Sequence, residues 1–311
     1  MTIISLISVC KIVYNCYNYH MRKETLQKRT KIANDIMYYI YTHIDTHIDI
    51  EELSTDLDIS KFHMHRIFKE AFGKNIYESI KSIRLQKASN LLLTNKYSTI
   101  SDIANLCGYS SHSSFIKAFK ERFDMTPKAW RSGGYKNYSN RILHQSEIAG
   151  RSTADFSGME PTIVKMPAIE SYYIRHKGYG PTIRQTWQKL QTWAMGQEIS
   201  HFEEIGLFHD NPTITPLDEC QYIACIVPKD TKKVESDRLP KFNIAEGIYA
   251  RFDLKGVHGD SLKFIHWVYH EWLPKSEYET TTKPSYVLYR RNNFLSDDMT
   301  FDLSFYVSIR F

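Results

Sequence analysis

Between residues 24 and 41 the apolar residues Ile32, Ile36, Tyr39 and Ile40 recur at helical spacing, which predicts one amphipathic helix at the start of the patterned chain. An internal repeat follows. IEELSTDLDISKFHMHRIFKEAF (50 to 72) and ISDIANLCGYSSHSSFIKAFKERF (100 to 123) align with an offset of 50 that becomes 51 after a turn. Ile50, Leu53 and Ser60 then match Ile100, Ile103 and Ser110, and Phe68, Lys69, Glu70 and Phe72 match Phe119, Lys120, Glu121 and Phe123. Each copy reads as a short helix, a tight turn and a longer helix. Asp49 with Glu52, and Thr99 with Asp102, are N-cap pairs with an acid in the first turn. The turn needs a residue that tolerates a left-handed backbone, supplied by Asp58 in one copy and Gly108 in the other, and Ser60 and Ser110 are placed to cap the second helices. Apolar residues at Ile76, Ile80, Ile83, Leu85, Leu91 and Leu92 predict a connecting helix between the copies, and Pro127 closes the second.

Residues 131 to 160, rich in Gly, Ser, Asn and Arg, lack that periodicity and read as a linker. Beyond Pro161 the pattern becomes mixed. Strands are expected at Ile163 to Ile174, Tyr222 to Val227, Gly247 to Leu254, Ser285 to Arg290 and Phe301 to Phe311, the last a strict apolar–polar alternation. Helices are expected at Ile183 to Ala194 and Leu262 to Leu273. The fold class is therefore multidomain, an all-α tandem helix-turn-helix domain at 24 to 131, a linker at 132 to 160 and an α+β domain at 161 to 311.

Charge divides the same way. Residues 59 to 131 carry 13 bases against 5 acids, a balance of +8, whereas 161 to 311 carry 18 against 19, a balance of −1. A polyanion suits the first part and a small or neutral partner the second. The 5 cysteines form no C-x-x-C pair, which argues for reduced thiols and a cytoplasmic protein rather than a disulfide framework, and no metal-ligand spacing occurs. Thr2 to Tyr14 is apolar but short and interrupted by Lys11, a poor membrane span and a poor signal peptide; residues 1 to 20 are an over-extended reading frame with a true start at Met21, or a tail.

In the second helix of copy one, Met64, Ile67, Phe68, Ala71 and Phe72 form one stripe and Phe62, His65, Arg66 and Lys69 the opposite one. In copy two, Phe115, Ala118, Phe119 and Phe123 face in, and His112, Ser113, Ile116, Lys117 and Lys120 face out. Such a helix fits the major groove, where Arg or Lys donates to guanine, Ser or His bonds a base edge and Phe or Ile touches a thymine methyl. Two of them about 34 Å apart would enter successive major grooves from one chain. Residues 32 to 131, above all ISDIANLCGY through SFIKAFKERFDMTPKAWR, resemble the DNA-binding domain of the AraC/XylS family of bacterial transcription activators. The resemblance implies that Phe62, His65 and Arg66, and His112, Ser113, Ser114 and Lys117, contact bases or flanking phosphates, with Lys69, Lys81 and Lys120 on phosphates. The competing reading of Arg66 is a surface ion pair.

The C-terminal sequence resembles the GyrI-like, effector-binding domain through RHKGYGPTIRQTWQKLQTW, GIYARFDLKG, HEWLPKSEYE, KPSYVLY and the alternating last strand. The turns at Lys177–Gly178 and Lys255–Gly256 each precede a Trp-bearing helix, which suggests a duplicated β-α-β-β unit with a cleft between halves. The resemblance implies a flat organic ligand held among aromatic rings, with Tyr172, Tyr179, Trp193, Tyr222, Trp267, Tyr286 and Tyr289 as candidates. Where many relatives carry an acid in the penultimate strand this chain has Val287 and Leu288, so a neutral or weakly polar effector, or none, is expected; Glu246 and Glu219 are the acids that could substitute.

No nucleophile elbow, H-E-x-x-H or phosphate-cradling loop occurs, so no catalytic residue and no cofactor are expected. The alternatives left open for the C-terminal part are a protein-interaction module and a weak hydrolase. The expected partners are double-stranded DNA, a small effector and RNA polymerase, with no membrane; activation is the expected role, with repression left open, and the expected state is a monomer or homodimer.

Overall fold

The computed structural model describes residues 25–229 and 239–311; the expectations for residues 1 to 20, including Cys10 and Cys16, lie outside them. The chain divides into two compact units, one of residues up to His43 with Ile48–Ser79, the other of Ile44–His47 with Ile80–Phe311. No described helix is long and apolar enough to cross a membrane.

The first unit holds helices α1 (25–42), α2 (Ile50–Asp56), α3 (Lys61–Phe72) and the first turn of α4 (Ile76–Thr94). Local chemistry sets its boundaries. The Asp49 carboxylate accepts from the Glu51 and Glu52 amides, Ser60 accepts from His63, and Asp58 takes a left-handed φ of 50° between α2 and α3. Gly73, left-handed at 71°, ends α3. Ile36, Ile40, Leu53, Met64, Ile67 and Phe68 are buried, each contributing roughly 1.5–3 kcal/mol of hydrophobic stabilisation. The inner stripe of α3 is narrower than expected, since Ala71 is exposed and Phe72 half-buried.

The second unit begins with the rest of α4, followed by α5 (Ile100–Leu106) and α6 (His112–Phe123). Thr99 and Asp102 form the expected reciprocal capping box. The residue capping α6 is Ser111, accepting from Ser114, and not Ser110, because the one-residue lengthening of the second turn falls before the cap. Gly108 suits its turn on two counts. Its φ is 73°, and a Cβ there would lie 2.6 Å from the Arg84 guanidinium. Arg84 donates to the Ile44 and Thr46 carbonyls at 3.1 and 2.7 Å, which ties residues 44–47 to this unit.

After α6 come α7 (Pro127–Ala129), a turn over Trp130–Gly134 kinked at Gly133 (φ 115°), α8 (Tyr135–Gln145) and α9 (Glu147–Gly150). The expected linker is thus largely structured. Tyr135, Ser139, Ile142 and Ala149 are buried, Ser139 bonds His266 at 3.2 Å, and Tyr135 stacks on His270 at 5.3 Å. Two of the glycines that suggested a linker serve the kink, Gly133 by its positive φ and Gly134 because a Cβ there would lie 2.9 Å from the Ala129 carbonyl oxygen, whereas Gly150 and Gly158 meet no such demand. Leu85, Ala88, Leu92, Ile103, Phe115, Phe119, Phe123 and Trp130 form the helical core, and Ile214, from the α+β part, is buried in the same cluster. The second helical copy and the α+β part therefore share one compact unit.

The α+β part carries β1 (Thr162–Met166), β2 (Ile169–Lys177), α10 (Ile183–Gly196), β3 (Phe202–Phe208), β4 (Gln221–Pro228), β5 (Lys241–Ile244), β6 (Gly247–Val257), α11 (His258–Trp267), a π-helical turn over Val268–Trp272, α12 (Leu273–Lys275), β7 (Glu279–Thr280), β8 (Ser285–Arg291) and β9 (Thr300–Arg310). Among the described residues these make a nine-stranded sheet of order β1-β6-β9-β8-β3-β4-β2-β5, with β7 paired to β9. The pairs are antiparallel, and the duplication is explicit: β2-α10-β3-β4 and β6-α11-β8-β9 meet at the β3–β8 pair, where Gly206 faces Val287. The single strand expected at Ile163 to Ile174 is two, broken at Pro167, which cannot donate to a ladder. Lys255–Gly256 is not a turn but lies inside β6, where a Cβ on Gly256 would approach Asp260 Oδ2 to 2.7 Å.

Candidate nucleic-acid interface and ligand cavity

Helix α3 presents Phe62, 78 % exposed, with Arg66 and Lys69 exposed and His65 half-buried beside Tyr77 at 5.7 Å between rings. Packing dictates this: Met64, Ile67 and Phe68 bury the other side of the helix, so residues 62, 65, 66 and 69 must face away. Arg66 stands 4.0 Å from Glu70, whose other oxygen is 3.1 Å from Arg29, so the carboxylate is held chiefly by Arg29 and the Arg66 fork keeps donors for another acceptor. An exposed pair at that distance is worth little.

Helix α6 repeats the arrangement within the second unit. Phe115, Ala118, Phe119 and Phe123 are buried, and His112, Ser113, Ser114, Lys117 and Lys120 are exposed. Ser113 shares a hydrogen bond with the capping Ser111 at 3.0 Å, and its exposed hydroxyl keeps capacity for a further bond. Lys81, expected on phosphate, is exposed and pairs with Glu121 at 2.5 Å, and the bond to Lys81 holds the Glu121 carboxyl below its usual range. Tyr77 is an exposed aromatic beside the α3 face that periodicity missed, since it sits in the first turn of α4.

The α+β part carries a cavity that opens to solvent at its mouth. Leu254, Val287, Tyr289, Leu303 and Phe305 line it from the sheet, Leu262, Phe264 and Ile265 from α11, and Tyr179, Phe208 and Phe294 from loops and strand ends. None of the described lining residues carries a formal charge at neutral pH. The polar groups are few. The Tyr179 hydroxyl has no hydrogen-bond partner among the described residues, and burial pushes its pKa well up. His258 accepts at Nδ1 from the Asn293 amide at 2.6 Å, and burial pulls its pKa down, so the ring is neutral at pH 7. The Ser261 hydroxyl donates to the His258 backbone carbonyl at 2.7 Å rather than to an imidazole, so no nucleophile–base pair forms.

Of the candidate ligand residues, Tyr179 and Tyr289 line the cavity. Tyr222 stands directly behind them, its ring 5.6 Å from Tyr179 and its hydroxyl 3.3 Å from that of Tyr289, fully buried. The other four are elsewhere. Tyr172 and Trp193 pair at 4.8 Å outside the lining; Trp267 packs on Phe252, Phe264 and Phe156 in the core; Tyr286 stacks on Tyr306 at 4.5 Å with Tyr249 alongside. Tyr286 alternates with Val287 and Tyr289 along β8, so it points to the other face of the sheet. Glu246 and Glu219 are exposed and do not line the cavity. The carboxylate opposite Tyr289 in the ladder is Glu204, whose oxygens accept from the Gln191 and Asn292 amides at 2.7 and 2.9 Å. Nothing in the sequence pattern marked Glu204, because β3 itself was not anticipated. No group of three or more His, Cys, Asp or Glu among the described residues is arranged to hold a metal.

The helix-turn-helix repeat and the duplicated α+β fold are each matched by known proteins. A helix-turn-helix domain matches residues 53–133 and a GyrI-like small molecule binding domain matches residues 159–307. The probable transcription factor PqrA of Proteus vulgaris is 33% identical over 105 residues, 33% of this chain and 85% of its own length. The xylose operon regulatory protein of Escherichia coli K12 is 35% identical over 95 residues, and this chain spans only 24% of that protein's length. A solved EcmrR C-terminal domain aligns with 49% of this chain and 97% of its own at 13% identity and a TM-score of 0.37, and the assignment does not rest on it. The chain belongs to the AraC/XylS family of helix-turn-helix transcription regulators and carries a GyrI-like domain.

Proposed function

We propose that this chain is a cytoplasmic DNA-binding regulator in which α3 and α6 each read a major groove, and that the uncharged cavity of its GyrI-like domain takes a small, flat, neutral or weakly polar effector. The observation that carries the first half is the outward face shared by both helices: Phe62, His65, Arg66 and Lys69 on α3, and His112, Ser113, Ser114, Lys117 and Lys120 on α6. Arg66 and Lys117 would read base edges, and Lys69 and Lys120 would sit on phosphates. Arg66→Ala is expected to weaken binding to the operator by about 1–3 kcal/mol and to relax preference at one base pair. Lys120→Ala is expected to weaken all sequences alike and to lower the slope of log K against log salt by roughly one. Binding titrations on operator and random duplex at several salt concentrations separate the two; equal loss on both duplexes for Arg66→Ala would place Arg66 on phosphate.

The second half is supported by an apolar cavity whose polar groups are Tyr179, Tyr289, His258 and Asn293. An uncharged planar molecule with one acceptor meets the Tyr179 hydroxyl and stacks among Phe208, Phe294 and Tyr289. Val287→Trp, which fills the floor, is expected to abolish binding of uncharged planar aromatic compounds read by tryptophan fluorescence, and Tyr179→Phe to weaken it by about 0.5–1.5 kcal/mol. A Val287→Trp protein that binds them as the parent does would remove the cavity from this role. Effector binding would shift the regulator toward an activating state in contact with RNA polymerase, which requires tighter binding to that state. Transcription from the target promoter that stays constant across a titration with a compound that demonstrably binds would refute the coupling.

A further inference from the structure

A second cleft opens beside α4 and differs in character from the first, although Phe208, Pro212, Ile265 and Phe305 border both. It is small and open to solvent, and no carboxylate lines it. Its chemistry comes from Gln86, Lys87 and Asn90 on one face of α4, from Asn211, and from Lys283 in the segment before β8. Lys87 is buried, donates to the Thr282 carbonyl and makes no ion pair among the described residues. An ammonium carries three protons, and burial is costly for one that no carboxylate touches; Asp210 and Asp45 act on Lys87 only from a distance and offset part of that cost. Next to it the Gln86 Oε1 is buried with no hydrogen-bond partner, whereas Asn90 Oδ1 is satisfied by Asn211 Nδ2 at 2.9 Å. Lys283, half-buried, donates to the Glu246 carbonyl at 2.6 Å and adds a second cation to the lining. A protein with only water to accommodate would have no need of two cations and no acid around one cleft.

We propose that this cleft is a second ligand site, for a small oxyanion of the phosphate class, with Lys87 as its charge partner and Gln86 as its acceptor. Hydrogen phosphate fits both requirements at once: its unprotonated oxygens accept from the Lys87 ammonium, and its P–OH donates to Gln86 Oε1. A carboxylate meets only the first. The site shares an apolar wall with the effector cavity but none of that cavity's polar groups, and no residue assigned to reading DNA lines it. The charged and titratable groups around Lys87 are Asp45, Cys107, Asp210, His209 and Lys283.

The test uses the full chain and inorganic phosphate, with chloride and acetate at matched ionic strength, followed by calorimetric titration and thermal unfolding. The expected result at pH 7 is saturable one-site phosphate binding that raises the unfolding temperature, is unchanged in Lys117→Ala and is lost at least tenfold in Lys87→Gln. Should Lys87→Gln not fold, the pH dependence of the parent protein decides. Loss of the ammonium makes phosphate affinity fall about tenfold or more between pH 7 and pH 9.5, whereas attraction to surface cations would grow as phosphate gains charge. Binding that is absent, that survives Lys87→Gln, that strengthens with pH, or that acetate produces and phosphate does not, would overturn the proposal.

Discussion

Trp130→Ala is expected to destabilise the second unit by about 3–5 kcal/mol, a large share of the roughly 5–15 kcal/mol that holds a typical domain folded. The indole is fully buried, with Phe123, Tyr138, Phe119 and Tyr135 at ring distances of 4.7, 5.4, 5.8 and 6.4 Å. Its Nε1 donates to the Ser89 carbonyl at 3.0 Å, so α4 also loses a bond it cannot replace with water. Helix α6 rests on the same cluster through Phe119 and Phe123. The variant should therefore lose DNA affinity along with stability, and equilibrium denaturation read by far-ultraviolet circular dichroism measures the first effect directly. A loss below about 1 kcal/mol would mean that the helical core can close over the void.

The second large effect concerns Lys87, whose pKa burial lowers from 10.5 to about 8. Below pH 8 the amine is charged in the folded and the unfolded chain alike, and the cost of burying the charge is fully present. Between pH 8 and 10.5 the unfolded chain binds more protons than the folded one, so the Lys87 contribution makes stability rise with pH; above 10.5 the cost is gone. The full swing is about 3 kcal/mol. Buried tyrosines and cysteines with raised pKa values pull the other way above pH 8.5 to 10, so the quantity to measure is the difference between the parent and Lys87→Met in phosphate-free buffer. Lys87→Met is expected to be the more stable by about 3 kcal/mol at pH 7, with the gap closing by pH 10. A pH-independent gap would show that Lys87 is already neutral, or paired, at pH 7.

Local chemistry made the helical repeat legible. Asp49, Ser60 and Thr99 cap where hydroxyl or carboxylate precedes an apolar stripe, and Asp58 and Gly108 are left-handed where the two copies must turn. The one-residue error at Ser110 and Ser111 arose because two adjacent serines offer the same cap chemistry, and only the backbone decides between them. What stayed hidden depends on contacts distant in sequence. Helix α8 is amphipathic but polar overall, so its Lys, Asn, Ser and Arg masked the pattern, and it is fixed by Tyr135 on His270 and Ser139 on His266, partners more than a hundred positions away. In the cleft, alternation along β8 and β9 tells which residues share a face but not which face closes over a ligand. Leu303, Phe305 and Val287 therefore line the cavity while Tyr286 and Trp267 do not. Aromatic character was a poor guide there, because this domain spends most of its rings on its core.

The account rests on two reading helices carried by one chain. Selecting duplex fragments from random sequence with the full-length protein, then measuring affinity for the best fragment and for its scrambled version at physiological salt, tests that claim directly. The expected result is a preference of about a thousandfold or more, reduced by Arg66→Ala and by Lys117→Ala at different positions of the selected sequence. Equal affinity for selected and scrambled duplex, or a preference that both substitutions leave intact, would contradict it.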